Sequence, residues 1–298
     1  MGDVLKALVT GAAGFLGSHV ARRLLEDGFE VTAFDLRPYD HPDVRSVEGD
    51  LLDPEAVAAA MVGADVVCHI GAIGDVYLAG EQPALAAAVN VTGTAHIAEA
   101  ARKFGARVVY ASTWEVYGEP IYEPLDEIHR CAPDHPYNIT KLAGESMLLA
   151  ADHLHDVPVL ALRLGTAYGP GLRPNSVFRI FIDRARNGEP ITIQGDGSQT
   201  RQFTHASDIA RAFSMAARSE LRGMALNTVA PEAVSIKQLA EVVVERFPTE
   251  LTFGPARPGD VPPAAVSGDL IREKLGWVAD VPFKSGMSDL MDSVVDGT

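Results

Sequence analysis

"TGAAGFLG" (Thr10–Gly17) decides how the first half of this chain is read. It follows "LKALVT" (Leu5–Thr10), a short apolar run that reads as a buried strand ended by Gly11. Beyond it, Leu16, Val20, Leu24 and Leu25 recur at helical spacing from Phe15 to Asp27, and Gly28 ends the helix. Gly11, Gly14 and Gly17 therefore stand between a strand and the mouth of a helix. That is where a tight turn, close backbone approach to a pyrophosphate and close helix–sheet packing each require glycine. The helix N-terminus adds unpaired N–H groups and the positive end of its dipole. "EVTAFD" (Glu30–Asp35) is a second strand, and Asp35 closes it. A carboxylate there accepts from both ribose hydroxyls and repels a 2′-phosphate, which selects NAD over NADP even with Arg37 nearby.

Working outward, "RSVEGD" (45–50) reads as a third strand, and Asp53-Pro54 gives an N-cap with proline at the first helical position, opening a helix to about Val62. "DVVCHI" (Asp65–Ile70) and "RVVYAS" (Arg107–Ser112) are further strands, separated by an alanine-rich helix expected from Ala84 to Phe104. A helix over Pro136–His155 and the strand "PVLALRL" (Pro158–Leu164) follow. Six strands with intervening helices predict an α/β fold with a Rossmann-type, doubly wound parallel sheet.

After Gly165 the rhythm breaks at the Gly- and Pro-rich "GTAYGPGLRPNS". A helix near Val177–Asn187, a strand at "ITI", the loop "QGDGSQTRQ" and a helix after Ser207 follow, and then a serine-capped amphipathic helix, "SIKQLAEVVVERF" (Ser235–Phe247). The expected division is a dinucleotide-binding domain over 1–165 with returns near 206–230, and a smaller mixed α/β substrate domain over 166–205 and 231–298.

Composition narrows the partners. The chain has 298 residues, 47% hydrophobic and 22% charged, with a formal net charge of −15. That acidity opposes a nucleic-acid or anionic-membrane surface and leaves room for a small anion held by local arginines. Two cysteines, Cys68 and Cys131, make neither a disulfide framework nor a zinc site, and Cys68 in its apolar run is expected to be a buried, inert thiol. The first residues do not form a signal segment and no apolar run is of spanning length, so a cytoplasmic location is expected.

"YNITK" places Tyr137 and Lys141 four apart, on one face of a helix, and Ser112 and Thr113 end the fifth strand, at the edge where open α/β sheets bind ligands. Together "TGAAGFLG", "GDLLD", "NVTGT", "STWEVYG" and "YNITK", with the later "GEPITIQGDGSQTRQFTHASDIARAF" and "RPGD", resemble the extended short-chain dehydrogenase/reductases, in particular the nucleotide-sugar epimerases and dehydratases. The resemblance covers nearly the whole chain. It implies bound NAD, with Gly11, Gly14, Phe15, Leu16 and Gly17 at the pyrophosphate, Asp50 and Leu51 flanking the adenine, and Gly71-Ala72 along the cofactor.

It further implies that Tyr137 is the acid/base, that Lys141 binds the nicotinamide ribose and lowers the tyrosine pKa, and that Thr113 hydrogen-bonds the reacting hydroxyl. A free tyrosine titrates near pH ~10, so a base working near neutrality must be lowered by about three pH units, about 4 kcal/mol. In the substrate half, Arg201 and Arg257 match arginines that grip the diphosphate of a nucleotide-sugar, a role suited to bidentate guanidinium. Thr166 stands where relatives have an asparagine that contacts the substrate phosphate. His205 lies where relatives pack an aromatic or histidine near the base or the domain junction. A homodimer through the helices near 84–104 and 136–155 is also implied.

Three outcomes share the first oxidation. An epimerase returns hydride to the other face of a 4-keto sugar; a 4,6-dehydratase also removes the C5 proton and protonates a departing C6 hydroxyl; a decarboxylase lets a β-keto uronate lose carbon dioxide. "STWEVYG" is similar to the dehydratase stretch Ser-Thr-Asp-Glu-Val-Tyr-Gly, with Trp114 in place of the acid, and to the decarboxylase stretch Ser-Thr-Ser-Glu-Val-Tyr-Gly. Tryptophan cannot protonate a leaving hydroxyl, so ordinary dehydration is disfavoured. Glu115 is either a group in a decarboxylase or a loop residue. Epimerisation of a UDP-hexose or UDP-uronate needs the fewest special groups and is the reading adopted. A reductase is a third option, and a non-catalytic dinucleotide-binding protein belongs to a different class, whose members lack the Tyr or the Lys.

Overall fold

The structure, a computed structural model, describes residues 4–255 and 264–297. β1 (Lys6–Thr10) enters the glycine turn and α1 (Phe15–Glu26), then β2 (Glu30–Asp35) and β3 (Arg45–Glu48) follow. α2 (Pro54–Met61) opens on Asp53, whose carboxylate accepts from the Glu55 and Ala56 amides. Next come β4 (Val66–His69), α3 (Val76–Glu81), α4 (Pro83–Ala87) and α5 (Thr94–Phe104). The single helix expected over 84–104 is thus interrupted: a π-helical turn, Ala88–Gly93, joins α4 to α5. The wide turn carries Asn90, only 1% exposed, whose amide brackets the backbone of Ile73, accepting from its N–H at 2.8 Å and donating to its carbonyl at 3.2 Å. The helix gives up regular geometry to hold that loop.

β5 (Arg107–Thr113) runs into a 3₁₀ turn (Trp114–Tyr117), followed by α6 (Pro136–His155), with the bounds expected, and β6 (Val159–Leu164). The remainder contains β7 (Thr166–Tyr168), α7 (Val177–Arg186), β8 (Ile191–Gln194), β9 (Thr200–Arg201), β10 (Phe203–His205) and α8 (Ala206–Arg218). After these come β11 (Met224–Thr228), β12 (Val234–Ser235), α9 (Ile236–Arg246), β13 (Leu251–Gly254), α10 (Asp269–Leu275) and α11 (Phe283–Asp296). Ser235 and Gln238 close a reciprocal capping box on α9.

The main sheet is all parallel, in the order β11-β6-β5-β4-β1-β2-β3. Successive strand residues feed opposite faces: Ala7 and Val9 join a core with α1 and α8, whereas Leu8 joins a core with α2, α5 and α6. The chain order reverses between β1 and β4, so the loops after these strands part there and leave a crevice at their carboxyl ends. The sheet holds one strand more than the six apolar runs predict. β11 escapes an apolar-run criterion because "MALNT" buries Asn227 and Thr228 fully, and the Asn227 amide is satisfied by the Leu125 and Ser267 carbonyls.

A further core unites Tyr168, α7, β8, Phe203, α9 and α11. Three two-stranded pairs, β7–β10, β9–β12 and β8–β13, knit residues far apart in the chain beside the crevice.

Candidate functional site

The glycine turn is as tight as its sequence demands. Gly11 has φ +69°, and a Cβ on it would lie 2.7 Å from the backbone of Gly71 across the crevice; one on Gly17 would lie 1.9 Å from the Gly11 carbonyl oxygen. α1 begins at Gly14 without a side-chain cap, which leaves its first N–H groups for an external anion. Phe15 and Leu16 turn inward, towards the cores on either side of the crevice. Asp35 stands at the end of β2 with one carboxylate oxygen accepting from the Ala13 amide (3.0 Å) and the other from the Arg37 amide (3.2 Å). The Arg37 guanidinium bonds the Ala13 carbonyl at 2.8 Å.

Leu51 packs under this floor: a Cβ on Gly71 would lie 3.0 Å from its Cδ1. Asp50 accepts from the Leu52 amide (2.9 Å), and the Gly71 amide donates to Thr10 Oγ1 (3.1 Å), beside Ala72. The fold therefore gathers the glycines, Asp35, Leu51 and Gly71 around one switch point. Its open helix end, glycine cradle and terminal acid fit a dinucleotide.

Thr113 ends β5, buried, with its Oγ1 accepting from the Glu115 amide (3.3 Å). Tyr137 and Lys141 occupy the first turns of α6, which starts on a His135 cap and Pro136. Lys141 is 3% exposed; its Nζ lies 4.2 Å from the Tyr110 ring centroid, and among the described residues no carboxylate reaches it as an ion pair. Burial lowers its pKa to about 7, and the Glu145 charge opposes that fall.

Tyr137 is pushed well above its ordinary pKa, first by burial and then by the charge of Glu115, while Arg173 pulls the other way. The protein alone thus moves Tyr137 opposite to the downward shift that the resemblance implies, because a phenolate in this cleft is desolvated beside a carboxylate. Burial also raises the pKa of Glu115, against the attraction of Arg201. Trp114 is buried in a small cluster with Tyr117, Leu125, Val229 and Val266.

Arg201 lies on β9 opposite Val234 of β12, and its charge is felt at Glu115. Thr166 opens β7, paired with Phe203. Arg257 lies outside the described residues. His205 caps α8 and packs edge-on to Tyr168. Cys68 is buried, and its thiol is pushed up to about 12.

One cation of the site was not singled out from the sequence. Arg173, in the Gly- and Pro-rich stretch read only as a break in rhythm, bonds the Gly74 carbonyl and pairs with Asp75 at 3.3 Å, while Asn175 donates to Asp75 at 2.7 Å. These bonds span the crevice mouth. Asn90 was also missed, although it heads the quoted "NVTGT".

The family model described as "NAD dependent epimerase/dehydratase family" matches residues 7–227. A UDP-glucose 4-epimerase of Mycolicibacterium smegmatis is 32% identical over 306 residues, covering 97% of this chain and 98% of that one. Among solved structures, MoeE5 in complex with UDP-glucuronic acid and NAD superposes with a TM-score of 0.91 at 34% identity, over 98% of this chain and 100% of its own. The Thermotoga maritima UDP-glucose 4-epimerase with UDP-glucose gives 0.92 at 27% identity, over 98% and 99%. No helix among the described residues is long and apolar enough to cross a membrane.

Proposed function

The chain belongs to the NAD dependent epimerase/dehydratase family, and from that premise we propose that it is an NAD-dependent nucleotide-sugar 4-epimerase acting on a UDP-hexose or UDP-uronate. NAD, which the glycine turn, Asp35 and Lys141 would hold, would supply the acceptor and donor for the C4 hydride. Tyr137 takes the proton of the C4 hydroxyl as the hydride leaves and gives it back once the 4-keto sugar has turned. Thr113 orients that hydroxyl. Lys141 holds the ribose and, as an ammonium, favours the phenolate. Gly11, Gly14, Phe15, Leu16, Gly17, Asp35, Asp50, Leu51, Gly71 and Ala72 form the dinucleotide's bed. Arg201, Thr166 and Arg257 receive the sugar nucleotide, in the part of the chain formed by 166–205 and 231–298.

The observation that carries epimerisation over dehydration is Trp114, locked in an apolar cluster beside Thr113 where an acid would have to stand. Glu115 is dispensable to this chemistry. Uronates belong among the substrates to be tried, because the Arg173 charge reaches Tyr137 and would favour an anionic sugar beside it, although Arg173 is itself paired with Asp75. α4 and α6 leave Leu85, Ile139 and Met147 exposed, which supports a homodimer through these helices.

The test is incubation of the purified protein with NAD and a panel of UDP- and dTDP-hexoses and UDP-uronates, followed by chromatography with mass detection. A new peak of unchanged mass is expected. Loss of water or carbon dioxide would overturn the epimerase and bring Glu115 into the reaction.

A further inference from the structure

Two cations are buried close to the reacting groups, Lys141 on α6 and Arg163 on β6, and Glu145 stands between their elements. It lies one helical turn beyond Lys141 and is 2% exposed. Its Oε2 accepts from Ser112 Oγ (2.6 Å) and Arg163 Nε (3.2 Å), and its Oε1 accepts from Arg163 Nη2 (2.6 Å). Arg163, 6% exposed, also donates to the Tyr117 hydroxyl (2.9 Å), which in turn donates to Asn227 Oδ1 on β11 (2.7 Å). One carboxylate thereby ties α6 to the end of β5, at the residue before Thr113, and to β6, the 3₁₀ turn and β11.

The other titratable groups around Lys141 offer it no counter-charge. Tyr110 faces it from β5 with its ring. His69, from β4, is bonded at both nitrogens by Thr10 and Thr94, and its pKa is lowered to about 3, so it stays neutral. Tyr137 lies on α6 itself, and Tyr117 and Cys131 are raised by burial and neutral. The charges of Glu115 and Arg173 act on Tyr137, and Glu115 forms no ion pair with Lys141 among the described residues. An ammonium buried without a nearby anion gives up its proton, so Glu145, the only carboxylate in this network among the described residues, has a consequence for the chemistry.

Resting on the epimerase reading, we propose that Glu145 is a positioning residue: it is the buried counter-charge that keeps Lys141 an ammonium, and its bonds to Ser112 and Arg163 hold α6 in the register that brings Tyr137 to Thr113. Its influence passes through Lys141 and not through contact with the sugar. Glu145→Gln preserves shape and can still accept from Ser112, but it strands the Arg163 cation. Glu145→Gln/Arg163→Met removes both charges and guards the test against simple unfolding.

The Lys141 ammonium is titrated by heteronuclear NMR of labelled lysine side chains in the folded protein without sugar, with Lys141→Met to assign the signal. The pH profile of turnover is measured alongside. The Lys141 midpoint is expected to fall by about one pH unit in Glu145→Gln, and in the same direction but by less in the double variant, where the Arg163 charge is gone as well. Turnover then fails at correspondingly lower pH, because the active form needs the ammonium, while KM for the sugar nucleotide changes less than about twofold. An unmoved Lys141 midpoint in the folded double variant, or a shifted profile without a shifted midpoint, would overturn the proposal and leave the pair a purely structural tie. Absence of turnover in the unmodified protein would count against the epimerase reading alone, since the lysine titration needs no substrate.

Discussion

In the proposed reaction Tyr137 loses a proton in surroundings that oppose it, with burial and Glu115 raising its pKa and Arg173 in partial compensation. Tyr137→Phe keeps the ring and removes the proton carrier, so kcat falls by about 10²–10⁴-fold. Dinucleotide binding, followed by fluorescence quenching, persists in that variant; a variant retaining near-normal turnover would remove Tyr137 from the acid/base role. Lys141 makes the opposite trade. Its folded pKa of about 7 lies below the ordinary lysine value of 10.5, so the folded chain holds its proton less tightly than the unfolded one. The cost to stability is present in full below about pH 7 and fades as pH rises towards 10.5. Lys141→Met is therefore expected to gain about 1–2 kcal/mol in urea unfolding at pH 7, less at pH 10, while abolishing turnover. At this scale the sequence shows which residues share a helix face, and Tyr137 with Lys141 was legible for that reason. Arg173 was not: only folding brings its loop across the crevice to Asp75.

Among the elements, β4 carries a buried titratable group that makes folding pH-dependent. His69 is neutral in the fold, with both ring nitrogens engaged by threonines and a pKa of about 3 against 6.5 for the free ring. The unfolded chain takes up a proton that the folded one refuses, so stability falls as pH drops from 6.5 towards 3, by up to about 1.4 kcal/mol per pH unit. Urea titrations across that window should show this slope, and His69→Gln should flatten it; an equal slope in the variant would assign the effect to other groups. The bounds of α6 and the caps of α2 and α9 are local chemistry and were readable residue by residue. The π-helical turn was not, because nothing in "AVNVTG" favours it until Asn90 finds the Ile73 backbone.

For the molecule as a whole, the helices on one side of the sheet leave apolar side chains in water. Leu85 and Ile139 are exposed on α4 and α6, which the proposed homodimer would cover. Leu85→Glu/Ile139→Glu places charge on that face without touching the crevice, so sedimentation is expected to show conversion of dimer to monomer with the fold intact. A unit of unchanged size in the variant, or a monomeric starting protein, would refute this interface.

The sequence by itself determined the glycine turn, the acid of β2, the alternation of strands and helices and the Tyr–Lys face. Each rests on local stereochemistry or on a period of two or 3.6 residues. Only the tertiary structure decided that "MALNT" is a strand, that Trp114 is core, and that Glu145 of α6 pairs with Arg163 of β6. Burial, charge and hydrogen-bond satisfaction depend on partners distant in the chain, and those partners exist only once the chain has folded.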